Sequence, residues 1–215
     1  MHAAAFNEGN KVIGYASFGW GDHNTIFGAH SSGGGWQNIS SGQYNFFSGY
    51  QNEINSDNTA IFGGQNKIYG AGYHLGNGHK NTIYGAYEIV NGYNNTIVGD
   101  NNTVNGKGNQ IRYKDISSEF KSNENTIFGT ENKIIKTTNA STKVSSGHII
   151  NGVDNIIQAE PSYRNFVNGS GNILSTRDGV FAGGYSIVSG INNEIYTRFG
   201  SAIGEGLEVE GHYGT

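Results

Sequence analysis

An aliphatic residue recurs every seven positions between residues 81 and 111 of the chain. A glycine keeps the same interval, and asparagine and threonine fill many of the positions between them. A coiled coil also repeats every seven residues, but it needs two apolar positions per repeat and residues that favour helices. Each unit is instead predicted to be one short strand and one tight turn, as in parallel β-solenoids and β-rolls. The aliphatic positions are Ile83, Val90, Ile97, Val104 and Ile111, and the glycines are Gly85, Gly92, Gly99 and Gly106.

The residue after each aliphatic position alternates between apolar and polar, as Tyr84, Asn91, Val98 and Asn105. Because side chains alternate between the two faces of a strand, the aliphatic residues are predicted to point into the coil and these residues out of it. The alternation predicts a coil of about 14 residues with two strands. One sheet would then face solvent through its asparagines, and the other would present an apolar surface.

The predicted apolar surface is too large to remain exposed on a monomer, so we expect copies of the chain to pack along it. Phe62 and Phe128 stand in similar NTAIFG and NTIFG segments and are assigned to the same surface. The residues expected at this interface are Phe62, Tyr84, Val98 and Phe128.

The seven-residue interval reappears elsewhere in the chain. It relates Ile61 to Ile68, Ile127 to Ile134 and Val167 to Leu174, and it runs through Phe181, Val188, Ile195, Ala202 and Val209. The pairs Ala182/Ser189 and Ile203/Glu210 both pass from apolar to polar, but they are out of phase by half a coil. We place this slip in residues 197–200.

Asparagines also recur every seven positions, at Asn95, Asn102 and Asn109 and again at Asn125 and Asn132. Asparagine tolerates a left-handed backbone, bonds to nearby backbone groups and can stack on asparagines of neighbouring coils. We interpret the asparagines as a structural ladder of turn residues. The alternative interpretation is a polar array that recognises a glycan or ice.

The chain is predicted to be a single domain over residues 1–215, with irregular insertions near 29–50, 71–80, 112–124, 136–148 and 158–165. Binding residues commonly lie in such loops on a rigid scaffold, and aromatic residues and arginine are enriched at interface hot spots. The alternative is that these aromatic side chains pack the loops back onto the roll. The candidate receptor-binding residues are Trp36, Tyr44, Phe46, Phe47, Arg112, Tyr113, Phe120 and Tyr163.

Composition narrows the functional classes. The net charge is −4 and no basic run is present, which argues against nucleic acid or an anionic membrane as the partner. Cysteine is absent, and no apolar run is long enough to span a membrane. The seven histidines show no paired metal-ligand spacing, and the aspartates form no calcium-binding repeat. We therefore predict no enzymatic activity, no metal and no cofactor.

The segment SAIGEGLEVEG (201–211) resembles the head repeat of the YadA-like trimeric autotransporter adhesins, and FAGGYSIVSG (181–190) and NTAIFGGQNKIYG (58–70) are similar to it. The resemblance implies a left-handed parallel β-roll assembled as a homotrimer. It also implies a bacterial surface protein, anchored in the outer membrane through a C-terminal region not present here. The asparagine, isoleucine, lysine and tyrosine bias suggests the fusobacterial adhesins that bind CEACAM-family receptors.

Two binding functions are considered, beside a third interpretation in which the chain is a monomeric solenoid with a purely structural role. The first is the head of a surface adhesin that binds a host cell-surface or extracellular-matrix protein through loops on the roll. The alternative is a trimeric phage tail-fibre or tailspike module that recognises a bacterial glycan.

Overall fold

The computed structural model describes residues 3–113, 122–136, 147–158, 164–175 and 185–214. In these residues every regular element is a β-strand, and neighbouring coils pair their strands in parallel. The chain divides into two compact units, Met1–Asn95 and Thr96–Thr215. Each unit is a parallel β-solenoid, as the seven-residue pattern predicted.

Unit 1 contains two sheets. Sheet A consists of β1 (Ala3–Ala5), β3 (Ser17–Asp22), β5 (Ser32–Trp36), β7 (Phe46–Tyr50), β9 (Thr59–Gly64), β11 (His74–His79) and β13 (Ile89–Tyr93). Sheet B consists of β2 (Lys11–Val12), β4 (Thr25–Ile26), β6 (Ile39–Ser40), β8 (Glu53–Asn55), β10 (Lys67–Tyr69) and β12 (Thr82–Ala86). The chain thus alternates between the sheets.

Unit 2 has the same plan. Its sheet A consists of β15 (Thr103–Lys107), β18 (Thr126–Thr130), β20 (Ile149–Val153), β22 (Phe166–Ser170), β24 (Ile187–Ile191) and the last residues of β25 (Glu194–Glu205). Its sheet B consists of β14 (Thr96–Asp100), β16 (Gln110–Tyr113), β17 (Ser122–Asn123), β19 (Lys133–Lys136), β21 (Ile156–Gln158), β23 (Ile173–Ser175), the first residues of β25, and β26 (Glu208–Gly214).

The core is a column of inward-facing residues, and the aliphatic positions of the repeat supply most of it. Ile83, Val90, Ile97 and Val104 are fully buried, which confirms their predicted orientation. Burying an aliphatic side chain of this size contributes about 1.5–3 kcal/mol. In sheet A of unit 1, Gly33 faces inward beside the buried Phe47, and a Cβ on Gly33 would lie 2.4 Å from the Phe47 ring.

Asparagine ladders line the corners of both units, which confirms the structural interpretation of these residues. Each ladder amide Nδ2 donates to Oδ1 of the asparagine one coil earlier, for example from Asn38 to Asn24 over 2.9 Å. The backbone N–H of the same residue donates to that Oδ1, and Nδ2 also donates to a glycine carbonyl oxygen one coil later. Unit 1 holds Asn10, Asn24, Asn38, Asn52, Asn66, Asn81 and Asn95, and unit 2 holds Asn109, Asn132, Asn155, Asn172 and Asn193.

The left-handed backbone belongs to the residue before the ladder asparagine and not to the asparagine itself. Asn94 and Asn101 have φ values of 55° and 57°, whereas Asn95 and Asn102 have no positive φ. This geometry turns the chain at the corner and leaves the ladder amide pointing inward, so both its oxygen and its nitrogen reach neighbouring coils.

The ladder bonds also measure the length of each coil. In unit 1 the step is 14 residues, except for one step of 15 between Asn66 and Asn81. Residues 29–50 lie inside this regular part, because Ser32 pairs with Phe46 and Phe46 with Ala60. They contain three regular strands, β5, β6 and β7, which is about one and a half ordinary coils, and do not form the predicted insertion. The extra residue near 71–80 agrees with the lengthened turn expected there.

Unit 2 has longer coils. Its ladder steps are 23, 23, 17, 21 and 14 residues. The first three long steps contain the expected insertions near 112–124, 136–148 and 158–165, and the step of 21 contains an insertion near 176–184 that the pattern did not predict. A step of 21 residues is three seven-residue intervals, an odd number. The seven-residue spacing of apolar residues therefore continues, but a residue 14 positions later lies in the other sheet. The phase slip therefore lies near 176–184, and residues 197–200 belong to the continuous strand β25.

Candidate binding surfaces

The predicted receptor-binding residues fall in different environments. Phe47 is 0% exposed in the core, so its assignment to a receptor contact was wrong. Phe46 is exposed on sheet A, while Trp36 and Tyr44 lie at the two corners where the chain leaves and enters that sheet.

The remaining receptor candidates belong to unit 2. Arg112 is exposed on sheet B, in β16, and Tyr113 is the last residue of that strand. Phe120 and Tyr163 lie outside the described residues. The structure therefore brings no two of these four candidates into a described contact.

The predicted interface residues do not share one face. Tyr84 in unit 1 and Val98 in unit 2 point outward from sheet B. Phe62 pairs with Asn77 on sheet A of unit 1, and Phe128 pairs with Asn105 on sheet A of unit 2. Placing Phe62 and Phe128 with Tyr84 and Val98 was therefore wrong. The reason is that the residue type at one outward position does not identify the sheet.

Sheet A of unit 1 has an uncharged outer surface rich in aromatic rings. Each strand contributes two outward residues, one on either side of the inward residue, and none of them is charged from β3 to β13. Five rings form a chain across neighbouring coils, with centroid separations of 5.1, 5.5, 6.3 and 5.7 Å. The rings are Phe6, Phe18, Trp20, Phe46 and Phe62. The polar surface predicted from Asn91 and Asn105 is thus largely apolar in unit 1.

Sheet A of unit 2 is also uncharged at both outward positions of β15, β18, β20, β22, β24 and the end of β25. Ile149, Phe166 and Ile187 are exposed and adjacent in register, and Asn151 and Asn168 run beside them with an amide hydrogen bond of 3.1 Å. We call this surface and its counterpart in unit 1 the A faces.

Sheet B differs from sheet A in charge. Lys67 of unit 1 lies 4.0 Å from Glu53 in the adjacent strand, and Tyr69 stacks on Tyr84 with a centroid separation of 4.9 Å. Burial, followed by its hydrogen bond to Glu53, raises the pKa of Tyr69 to about 12. In unit 2, Arg112, Lys133 and Glu194 lie in sheet B. The B surfaces are therefore better suited to water than the A faces.

A second group of aromatic residues follows the corner where sheet A of unit 1 ends. Trp36, Tyr50, Gly64, His79 and Tyr93 occupy equivalent places in successive coils. Because Gly64 has no side chain, the Tyr50 ring lies over it and shares a hydrogen bond of 3.1 Å with His79 Nδ1, two coils away. His79 stacks on Tyr93 at 5.6 Å.

Glutamine side chains run beside these rings. Gln65 Nε2 donates to Gln51 Oε1 over 3.0 Å, and Gln51 Nε2 donates to Gln37 Oε1 over 3.1 Å. Each glutamine comes directly after one of the corner residues in sequence: Gln37 after Trp36, Gln51 after Tyr50 and Gln65 after Gly64. We call the rings of Trp36 and Tyr50 together with these three glutamines the corner ridge.

The opposite corner of unit 1 also carries rings. Tyr44 stacks on His30 at 5.1 Å with nearly parallel planes, and Tyr15 meets His30 edge-on at 5.5 Å. A further pair, Tyr73 and Tyr87, lies 5.6 Å apart. Tyr44 therefore belongs to a rigid stack of its own, separate in sequence and in register from the corner ridge.

Within the described ranges, no group of three or more His, Cys, Asp or Glu side chains could hold a metal ion. In the same part of the chain no helix is long and apolar enough to cross a membrane. A comparison with models of known protein families and with curated proteins gave no match to this chain.

Proposed function

We propose that the chain is the non-enzymatic head of a trimeric bacterial surface adhesin that binds a host cell-surface or extracellular-matrix protein. The observation that carries this proposal is the pair of uncharged A faces. Soluble monomers rarely leave contiguous apolar patches of this kind exposed, so a covering partner is expected. A face without charges can meet a copy of itself without like-charge repulsion, which suits a symmetric assembly.

In this proposal the A faces pack against other copies of the chain. The interface residues are then Phe46 and Phe62 in unit 1 and Phe128, Phe166 and Ile187 in unit 2. Tyr84 and Val98, which lie on sheet B, are not part of it. The number of copies, three, and the left-handed coil both rest on the resemblance of residues 201–211 to the adhesin head repeat.

Receptor binding is assigned to the insertions of unit 2. Three of them join a strand of sheet B directly to the next strand of sheet A, and the first lies between β16 and β17 of sheet B, just before the chain passes to β18 of sheet A. Binding residues commonly lie in loops that a rigid scaffold holds. Arg112, Tyr113, Phe120 and Tyr163 lie in or beside these insertions and remain the candidates for receptor contact.

The assembly is tested by light scattering on the purified chain. We expect a particle three times the mass of one 23.0 kDa chain. Phe166→Glu, on an A face, should dissociate it, whereas Ile173→Glu, on sheet B of the same coil, should not. A monomeric wild-type chain, or equal effects of the two substitutions, would refute the assembly.

Receptor binding is tested separately, with immobilised CEACAM-family ectodomains and matrix proteins. Deletion of residues 114–121 should abolish or weaken binding while leaving the mass of the particle and its circular dichroism unchanged. Unchanged binding after this deletion and the equivalent deletions of 137–146 and 159–163 would exclude these three insertions as the receptor site.

A further inference from the structure

We propose that the corner ridge of unit 1 is a binding site for a neutral oligosaccharide. This inference is independent of the adhesin proposal, because it uses a different surface and a different class of ligand. It rests on the orientation of the rings, the remaining hydrogen-bonding capacity of the glutamines, and the charge along the ridge.

The Tyr50 ring is held in place before any ligand arrives. The Tyr50 ring lies across Gly64, and a Cβ at Gly64 would come within 2.3 Å of Tyr50 Cε1. Its hydroxyl is tied to His79, so the ring lies along the sheet, and 42% of the residue stays exposed. Trp36 is 45% exposed in the adjacent strand, opposite Tyr50 in register. Rigid aromatic side chains bind with little loss of conformational entropy.

A ring that lies against the protein offers its face to the ligand. The electron-rich face attracts the C–H groups of a pyranose ring, whose own faces are apolar while its hydroxyls point outward from the edge. A sugar unit over Tyr50 would therefore place its hydroxyls beside the ring, where the glutamine side chains run.

The glutamine ladder can make those bonds. A carboxamide has two N–H donors and an oxygen that accepts two bonds. Gln51 uses one N–H toward Gln37 and accepts one bond from Gln65, which leaves one donor and one acceptor position for a ligand. The ladder bonds hold the amides in a fixed row, with spacing of about 4.8 Å between coils.

The charges identify the ligand as neutral. Over the coils that contain Trp36, Tyr50 and Gly64, neither the ring positions nor the glutamine positions carry a charge. The charged neighbours lie at the two ends, with Asp22 one coil before Trp36 and Lys80 Nζ 5.9 Å from the Tyr93 ring. A polyanion would find no line of basic side chains along this surface.

The test uses the full chain and four probes: the hexasaccharides of cellulose, chitin and amylose, which are neutral, and a hexamer of galacturonic acid, which is anionic. Binding is followed by the fluorescence of Trp36 in a Trp20→Phe background, since the chain has two tryptophans. We expect saturable binding of at least one neutral probe and weaker binding of the anionic one. No saturation by any neutral probe up to about 10 mM would overturn the proposal.

Substitutions locate the site, with calorimetry as the readout. Tyr50→Ala and Gln51→Ala should each raise the Kd about tenfold, the usual effect of truncating a central contact. Gly64→Ala should do the same without removing any ligand-contacting group, because its new methyl group displaces the Tyr50 ring.

Gly34→Ala is the matched control. Its Cβ would come within 2.2 Å of Trp20 Nε1 and displace that ring on the A face, away from the ridge. We expect sugar affinity to be unchanged in Gly34→Ala. Circular dichroism of all variants confirms that the solenoid remains. Binding that persists in Gly64→Ala, or falls equally in Gly34→Ala, would overturn the proposal.

Discussion

Nδ2 of Asn52 donates to Oδ1 of Asn38, one coil earlier, over 2.9 Å, and the backbone N–H of Asn52 donates to the same oxygen over 3.0 Å. Asn52 Oδ1 in turn accepts the equivalent bonds from Asn66. One buried amide therefore joins three coils. Its loss would leave the Asn66 backbone N–H without its acceptor, and Asn38 Oδ1 would keep only the bond from the backbone N–H of residue 52.

We predict that Asn52→Ala lowers the free energy of unfolding by about 2–4 kcal/mol, because each buried polar group left unsatisfied costs about 1–3 kcal/mol. Urea denaturation followed by circular dichroism measures this loss. The control is Gln43→Ala, an exposed residue in the turn before β7 and outside the A face, which should change the unfolding free energy by less than about 0.5 kcal/mol. Equal losses in the two variants would contradict a structural role for the ladder.

His148 lies between Asn125 and Asn165 of the neighbouring coils, at a buried corner position of unit 2, and makes stability depend on pH. Burial lowers its pKa to about 3, and its Nδ1 accepts a hydrogen bond of 3.3 Å from the Asn165 backbone N–H, which a protonated ring could not do. The unfolded histidine has a pKa near 6.5, so below about pH 6.5 the unfolded state binds more protons than the folded state. The stabilising contribution is complete above pH 6.5 and falls as the pH drops toward 3.

Replacing His148 should remove this dependence. We expect His148→Asn to flatten the decline in unfolding free energy between pH 6.5 and 4.5 by up to about 1.4 kcal/mol per pH unit, the limit for one proton. Denaturation curves at several pH values for wild type and variant give the two slopes. Identical slopes for wild type and variant would mean that protonation of His148 in the unfolded state does not cause the decline.

Gly33 and Phe47 share one layer of the core, and their sizes are coupled. Gly33→Ala should destabilise the chain by about 1–3 kcal/mol, because the new Cβ meets the Phe47 ring. In a Phe47→Val background the same substitution should cost much less. A double-mutant cycle in urea measures the coupling, and additive effects of the two substitutions would contradict the contact.

Gly49 carries two constraints that can be separated. Its φ is +136°, and a Cβ would lie 1.7 Å from the carbonyl oxygen of Gly63 in the next coil. Gly206 also has a positive φ, +63°, but a Cβ there meets nothing within 4 Å. We expect Gly206→Ala to cost about 1–2 kcal/mol from backbone strain alone and Gly49→Ala to cost clearly more. Similar melting temperatures for the two variants would show that the close approach of the coils is not limiting.

Periodicity predicted the parts of the fold in which one residue type recurs for one physical reason. Ile83 and Val90 are buried because every coil needs an apolar residue at that place, and Asn95 and Asn109 join ladders because every corner needs the same bonds. These requirements repeat with the coil, so they are visible in the sequence alone.

The sequence-based predictions were wrong where two residues together, and not one recurring residue, satisfy a structural requirement. Gly33 faces the core because Phe47 fills the space of two side chains. The aliphatic residue of the repeat is therefore missing at that position, and residues 29–50 resembled an insertion. The outer surface depends on both outward residues of a strand. Asn91 and Asn105 suggested a polar face, although Ile89, two residues before Asn91, is exposed on the same side.

The ladder of unit 2 keeps its bond lengths while its coils differ in length. Nδ2–Oδ1 distances stay between 2.9 and 3.1 Å across steps of 23, 17 and 21 residues. The ladder hydrogen bonds of unit 2 therefore form whatever the length of the insertion between two coils. Sequence there can change in length at a loop-closure cost of only about 0.6 kcal/mol per doubling, so the protein can acquire or exchange a specificity while the rest of the molecule remains the same.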